Sequence, residues 1–212
     1  MGEPRSVRPF VLSALCSCIM SGFDCRELDS STWDSFAQLV EKNNGIWGGC
    51  WCMAFHDEGI GKHKTAAQNR QEKLCRVESG RAHAALVFVG DELAGWCQYG
   101  RSDEVCLKHK FKRTYYQGMD EEPDWRITCF FVDRRHRGTG VASAALAHAL
   151  ALIARDGGGL VEAYPEEIGA RQLNNSFIYL GTTGMFEKRG FERLRQVAKH
   201  HWVMTKRVEP IG

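Results

Sequence analysis

One stretch of this chain constrains the fold more than any other, because it places a strand, a glycine turn and a helix in direct succession. Residues 127–132 are apolar, β-branched and aromatic, which predicts a buried strand. A basic turn with Gly138 and Gly140 follows, and apolar residues at helical spacing predict a helix that starts near Val141. This arrangement forms an anion site, since the first N–H groups of a helix lack partners and the helix dipole is positive there.

The composition of the turn indicates a phosphate or pyrophosphate ligand. Two glycines let a ligand approach the backbone, and Arg134, Arg135 and Arg137 add positive charge around it. The spacing Arg135-x-x-Gly138-x-Gly140 is neither a Walker loop nor the Rossmann glycine pattern. The sequence therefore predicts a phosphate-binding turn outside both of those classes.

Two motifs give the chain a resemblance to a known family. The pattern Arg135-x-x-Gly138-x-Gly140 behind Val132 is similar to motif A of the GNAT superfamily of acetyl-CoA-dependent N-acetyltransferases. Residues 186–191, Phe-Glu-Lys-Arg-Gly-Phe, resemble the ending of a later helix in that family. Two motifs in the right order are more specific than either glycine pair alone.

The resemblance covers residues 82–208 and implies an α/β (α+β) fold. We expect a mixed, mostly antiparallel central sheet with a splayed parallel strand pair and helices on both faces. Residues 1–29 are predicted as an N-terminal leader, followed by one acetyltransferase domain at 30–212. Periodicity and turn residues predict helices at 32–43, 65–78 and from 141, and strands at 46–56, 84–89, 93–99, 127–132, 160–164, 192–198 and 201–206.

The resemblance implies acetyl-CoA as the acyl donor, held by the end of the central strand, the turn and the start of the helix. A backbone N–H of Phe131 or Val132 is expected to stabilise the thioester oxygen as charge develops on it. Asn174 or Asn175 falls where family members often contact the pantetheine arm, although either could equally cap a turn. The predicted cofactor-binding residues are Phe130, Phe131, Val132, Arg135, Arg137, Gly138, Thr139, Gly140, Val141, Ala142, Asn174 and Phe186.

The transfer chemistry requires a neutral amine, so something must accept the proton of the acceptor ammonium. Glu162 is the candidate for that relay, against the alternative of a surface ion pair, and Tyr164 shares its face of the strand and could position the acceptor. Phe186 stands where many GNAT enzymes have a tyrosine that acts as general acid. Tyr179, a cysteine or water takes that role, or the thiolate leaves unaided.

Acidic and aromatic residues indicate a cationic acceptor. Residues 120–124 carry four carboxylates, ending at Asp124, and Trp47 and Trp51 are candidates for the wall of an acceptor pocket or for core. The Trp47 region and the segment before Phe186 resemble a subgroup that includes aminoglycoside 2′-N-acetyltransferases of the kasugamycin-resistance type. We expect a small-molecule amine, an aminoglycoside first. The alternatives are a protein or peptide amine and a non-catalytic acyl-CoA sensor.

Charge and cysteine content narrow the remaining possibilities. A net charge of +2, with lysines and arginines interspersed among nearly as many acids, argues against a nucleic-acid partner. No apolar run is long enough for a membrane span. Nine cysteines without a disulfide framework indicate reduced thiols and a cytoplasmic location. A zinc site is the alternative for Cys50, Cys52, His56 and His63, but the sequence favours buried cysteines that act as small apolar side chains. We expect no metal, and a homodimer only by family analogy.

Overall fold

The computed structural model describes residues 22–57, 64–106, 112–119, 121–169 and 178–211. Within them, seven strands form one sheet in the order β1-β2-β3-β4-β5-β7-β6. The strands are β1 (Asp24–Glu27), β2 (His83–Val89), β3 (Glu92–Arg101), β4 (Trp125–Val132), β5 (Gly159–Ala163), β6 (Glu192–Ala198) and β7 (His201–Val208). The helices are α1 (Trp33–Lys42), α2 (Ala66–Glu78), α3 (Lys112–Tyr116), α4 (Val141–Arg155) and α5 (Thr183–Glu187).

The central feature of the sheet is the parallel pair β4–β5, which is paired over only a short length. Trp125 to Ile127 pair with Val161 to Ala163, and every other neighbouring pair of strands is antiparallel. β4 then continues to Val132 while β5 ends at Ala163, so the two strands part at this point. The predicted sheet with its splayed parallel pair is therefore confirmed.

Helices cover both faces of the sheet. On one face α1 buries Trp33, Phe36 and Val40 against a cluster that includes Trp96 of β3. On the other face α4 packs its apolar side against β2, β3 and β4. These two clusters bury the strands from both sides, which is why β3 reads as a nearly continuous run of buried residues.

The helix at 65–78 forms as predicted, because Thr65 and Gln68 make a capping box at its start. The strand predicted at 46–56 is wrong. Residues 43–57 form a loop of turns, and positions 44–49 all have positive φ, including Ile46 at 54° and Trp47 at 48°. Glycines at three of those six positions favour this left-handed backbone, which the apolar pattern alone does not reveal.

The N-terminal part of the sheet lies inside the stretch predicted as a leader. Asp24 to Glu27 pair with Phe88 to Ala85, so the sheet takes in four residues of the range 1–29. Cys25 is disulfide-bonded, contrary to the expectation that all the thiols are reduced, and six other described cysteines have no disulfide bond. No helix in the described ranges combines the length and apolar character needed to cross a membrane.

Candidate active site

A cleft of about 570 Å³ opens where β4 and β5 part. It runs along the end of β4, past the glycine turn and the first turn of α4, and is bounded on the other side by the loop after α1 and the segment before α5. The described residues that line it are Asn43, Ile46, Trp47, Phe130, Phe131, Val132, His136, Arg137, Gly138, Gly140, Val141, Ala142, Ser143, Ile178, Tyr179, Gly181, Thr182 and Met185. The cleft thus brings together most of the residues predicted to hold the cofactor.

The glycine turn presents backbone N–H groups to the cleft. Gly140 is the N-cap of α4 with φ of 98°, and no side chain caps the helix there. Gly138 has φ of 78°, and a Cβ at this position would meet nothing within 4 Å. Glycine is therefore required at position 138 by the backbone conformation and not by lack of space. At the start of α4, no side chain stands between the first N–H groups of the helix and the cleft.

The structure favours a motif register two residues later than predicted. The arginine and the first glycine of the pattern Arg135-x-x-Gly138-x-Gly140 recur two residues later as Arg137-x-x-Gly140-x-Ala142, with alanine in place of the last glycine, and all three of these residues line the cleft. Arg135 does not line it, because its guanidinium pairs with Asp133 and Glu92. The arginine adjacent to the cleft is Arg137, whose Nε donates to the carbonyl of Val132 at 3.3 Å.

Asp133 holds the turn in place. Its carboxylate accepts hydrogen bonds from the Arg135 backbone N–H at 3.0 Å and Nη2 at 3.2 Å, and pairs with Lys42 Nζ at 3.2 Å. Burial alone would raise the pKa of Asp133, but the hydrogen bonds from Arg135 and Lys42 outweigh it and hold the pKa well below its usual value. Asp133 therefore joins the end of β4, the turn and the end of α1 through one ionised carboxylate.

The edge of β4 that faces the cleft carries the candidate oxyanion donor. The N–H of Asp133 donates to Ala94 of β3, and the N–H of Phe130 points the other way, to the carbonyl of Tyr179 at 2.7 Å. Because N–H direction alternates along a strand, Val132 directs its N–H to the cleft side and Phe131 directs its N–H to β3. Of the two predicted donors, the geometry favours Val132.

Glu162 lies in the paired part of β4 and β5, Tyr164 follows the end of β5, and neither residue lines the cleft. Glu162 is 2% exposed and accepts a hydrogen bond from the Tyr164 hydroxyl at 2.5 Å. Burial raises the pKa of Glu162, against the opposing hydrogen bonds of Tyr164 and Tyr115. The alternative of a surface ion pair is excluded by this burial.

Two neighbours of Glu162 were not identified from the sequence. Tyr115 of α3 is fully buried, with its ring 5.8 Å from that of Tyr164. Arg126 faces Glu162 across the parallel pair, and its Nη2 lies 3.4 Å from the Tyr115 hydroxyl. Both come from segments that read as a connector and a strand start, so only the fold reveals that they meet.

The remaining predicted residues divide between cleft, core and structural roles. Trp47 is 49% exposed and lies at the cleft with its ring 6.0 Å from Tyr179. Trp51 is buried between Trp33 and Phe36, so it belongs to the core. Phe186 is also fully buried, against Phe130 and Phe191, and does not line the cleft.

The acidic stretch before β4 is not a free landing site in the described residues. The Asp124 carboxylate accepts the N–H of Leu160 at 2.7 Å and lies outside the cleft. Glu121 pairs with Arg207 and Glu122 with Arg126. Thr139 is exposed on the turn, and Asp120, Asn174 and Asn175 lie outside the described residues. Over the same ranges, no three His, Cys, Asp or Glu side chains converge to hold a metal ion.

Comparison with known proteins gives a family and a fold. The family model described as the acetyltransferase (GNAT) family matches residues 33–191. The crystal structure of histone acetyltransferase HPA2 and related acetyltransferase from Corynebacterium glutamicum is 14% identical, covers 90% of this chain and 98% of its own, and has a TM-score of 0.51. The GNAT domain of S. lividans PAT is 15% identical, with coverages of 86% and 89% and a TM-score of 0.51. No curated protein matches the chain.

Proposed function

The chain belongs to the GNAT family of acetyltransferases, whose members use acetyl-CoA, and from that premise we propose that it acetylates a primary amine of a small cationic acceptor, an aminoglycoside first. The observation that carries this proposal is the cleft itself. In one continuous space, the cleft brings together the start of α4, where no side chain caps the helix, the edge of β4 to which Val132 directs its N–H, and the exposed side chain of Trp47.

The residues of the turn fit a phosphate-bearing donor. The N–H groups at the start of α4 and the guanidinium of Arg137 supply hydrogen bonds and positive charge at one end of the cleft. Phe130, Phe131 and Val132 offer a strand edge along its length. When bound, acetyl-CoA supplies the thioester that is the source of the acetyl group. Val132 would then donate its N–H to the oxygen on which charge develops.

The acceptor end is built around Trp47. Its exposed ring, braced by Tyr179, can receive an ammonium or the apolar face of a sugar ring. Glu162 and Tyr164 lie beside the paired part of β4 and β5, where burial raises the pKa of Glu162 and so favours proton uptake by its carboxylate. We propose that the amine proton passes towards this pair and that Tyr164 holds Glu162 in place.

The departing thiolate has no tyrosine at position 186 to protonate it. Phe186 is buried in the core, and its phenyl ring has no acidic proton to donate. Among the described residues that line the cleft, Ser143, Tyr179 and Thr182 carry hydroxyl groups, and only Tyr179 has the phenol that the family's tyrosine supplies. We propose Tyr179 as the general acid, with unaided departure as the competing possibility because a thiol pKa is about 8.5.

The test is release of free thiol from acetyl-CoA with a panel of amines that includes kasugamycin, other aminoglycosides and lysine peptides. Arg137→Glu probes the donor end, and Arg134→Glu is its matched control, because Arg134 is exposed on the same turn but does not line the cleft. Glu162→Gln and Tyr179→Phe probe the chemistry.

We expect one aminoglycoside to turn over, Arg137→Glu to raise the KM for acetyl-CoA far more than Arg134→Glu, and Glu162→Gln to lower kcat by roughly 10²-fold or more. Consumption of lysine peptides without any aminoglycoside would replace the acceptor proposal with a protein amine. Equal effects of the two arginine variants would remove Arg137 from the donor site.

A further inference from the structure

A group of buried thiol and amine side chains lies below the cleft, on the face of the sheet that α1 covers. Cys52 follows the left-handed loop, and Cys129 lies on β4 next to Phe130. Both are buried, and their Sγ atoms are 3.4 Å apart. Neither belongs to the chemistry proposed for acetyl transfer.

Lys73 of α2 points its ammonium group into this cluster. It is 1% exposed, and Nζ lies 3.1 Å from Gln98 Oε1 and 3.1 Å from His56 Nε2. The carbonyl of Glu104 is 3.1 Å from His56 Nδ1, which must therefore donate and leaves Nε2 to accept from Lys73. The hydrogen-bond partners of Lys73 are thus both neutral.

A buried ammonium needs a compensating negative charge, and no carboxylate of the described residues pairs with Lys73. The groups that favour its charged form are the thiols of Cys52, Cys129 and Cys50. Burial lowers the pKa of Lys73 to about 8 against their effect. Reciprocally, the hydrogen bond with Cys129 and the charge of Lys73 lower the pKa of Cys52.

We propose that Cys52 and Cys129, whose sulfur atoms are 3.4 Å apart, are an oxidation-sensitive pair, in which the Cys52 thiolate reacts with a peroxide within the electrostatic influence of Lys73 and Cys129 then closes a disulfide. In the first step the Cys52 sulfur attacks one oxygen of hydrogen peroxide, the O–O bond breaks, and the departing hydroxide takes a proton to become water. The product is a sulfenic acid.

In the second step the Cys129 sulfur attacks the Cys52 sulfur and displaces a second water. Two thiols and one hydrogen peroxide thus give one disulfide and two waters. The sulfur atoms must approach from 3.4 Å to about 2.0 Å. That movement draws the end of the loop that carries Ile46 and Trp47 towards the strand that carries Phe130 and Phe131, so both walls of the cleft are affected.

The experiment treats the full chain with hydrogen peroxide in a Cys75→Ser background, which removes an exposed thiol. Peptide mass spectrometry, before and after dithiothreitol, identifies the cross-link. Cys129→Ser with a sulfenic-acid trap shows which sulfur reacts first. Cys97→Ser is the matched control, because Cys97 is equally buried but lies in the cluster beneath α4, where burial alone raises the pKa of its thiol.

We expect a reversible Cys52–Cys129 cross-link that is present in Cys97→Ser and absent in Cys52→Ser and Cys129→Ser. The trap should label Cys52 in Cys129→Ser, and Lys73→Met should slow that labelling several-fold, because loss of the nearby positive charge lowers the thiolate fraction. Circular dichroism verifies that Lys73→Met is folded. Labelling of Cys97 as fast as Cys52, or the absence of a Cys52–Cys129 cross-link, would overturn the proposal.

The functional consequence is measured on the cross-linked protein. Acetyl transfer should fall on oxidation, recover with dithiothreitol, and be insensitive to peroxide in Cys129→Ser. Unchanged turnover in fully cross-linked protein would overturn the connection to the cleft. The chemical cross-link is read by mass alone, so it does not depend on the proposed acceptor.

Discussion

Asp133 offers the sharpest test of how the donor turn is held. It is 2% exposed and binds the turn through the Arg135 N–H, while its two cationic partners, Lys42 and Arg135, have side chains that are 46% and 47% exposed. Ion pairs with partners so exposed contribute about 0–1 kcal/mol each, because solvent screens them. The hydrogen bond at the start of the 3₁₀ turn adds about 1 kcal/mol.

These terms predict that Asp133→Ala lowers the free energy of unfolding by about 1–3 kcal/mol, and Asp133→Asn by about 0–2 kcal/mol, since the amide keeps one acceptor oxygen for the Arg135 N–H. This is less than the roughly 3–5 kcal/mol expected when one partner of a fully buried pair is removed. Because the turn carries the proposed donor site, the KM for acetyl-CoA should rise in both variants while kcat changes little.

Urea unfolding and steady-state kinetics measure the two effects. Glu92→Gln is the matched control, because Glu92 contacts the same Lys42 and Arg135 side chains but is half exposed and makes no contact with the turn backbone. It should change stability by less than about 0.5 kcal/mol. The reasoning fails if Asp133→Ala is as stable as the wild type, or if kcat falls while the KM for acetyl-CoA stays unchanged.

Three further predictions follow from individual residues. Gly140→Ala should destabilise the protein by about 1–2 kcal/mol and raise the KM for acetyl-CoA, because φ at the N-cap of α4 is 98°; urea unfolding and kinetics would show it, and a wild-type KM would contradict it. Trp47→Ala should raise the acceptor KM with little loss of stability, whereas Trp51→Ala should cost about 3–5 kcal/mol, and the reverse pattern in thermal unfolding and kinetics would exchange their roles. Burial, aided by the charges of Lys73 and Arg76, lowers the pKa of His56 to about 2. Below the ordinary His pKa of 6.5 the folded state therefore binds fewer protons than the unfolded state, and the stability that neutral His56 contributes is lost as the pH falls. At pH 5 that loss is about 2 kcal/mol. Urea unfolding at pH 7 and pH 5 should show this decrease in the wild type but not in His56→Gln. An equal pH dependence of the two proteins would show that His56 is not buried in its neutral form.

Local sequence patterns predicted most of the helices and strands, because the residues that start, end or join these elements are close together in the sequence. Thr65 and Gln68 cap α2 through neighbouring groups, Gly90 and Asp91 join two strands that pair directly, and Gly140 begins α4. The resemblance also predicted the splayed pair, whose strands lie directly before the first motif and between the two motifs. The failure was the strand at 46–56, where an aromatic pattern typical of strands coincides with a left-handed backbone that tertiary packing stabilises.

The candidate site shows the same division. The sequence by itself determined the glycine turn, since its glycines and the helix start are contiguous and glycine readily adopts the positive φ found there. Only the tertiary structure decided which arginine reaches the cleft, that Val132 rather than Phe131 turns its N–H towards it, and that Asp124 supports β5 instead of facing a ligand. Likewise, Tyr115 hydrogen-bonds Glu162, and Cys52 contacts Cys129, across long sequence separations. Such contacts depend on the order of the strands in the sheet and on which charged groups become buried. Neither can be inferred from residues that are adjacent in the sequence.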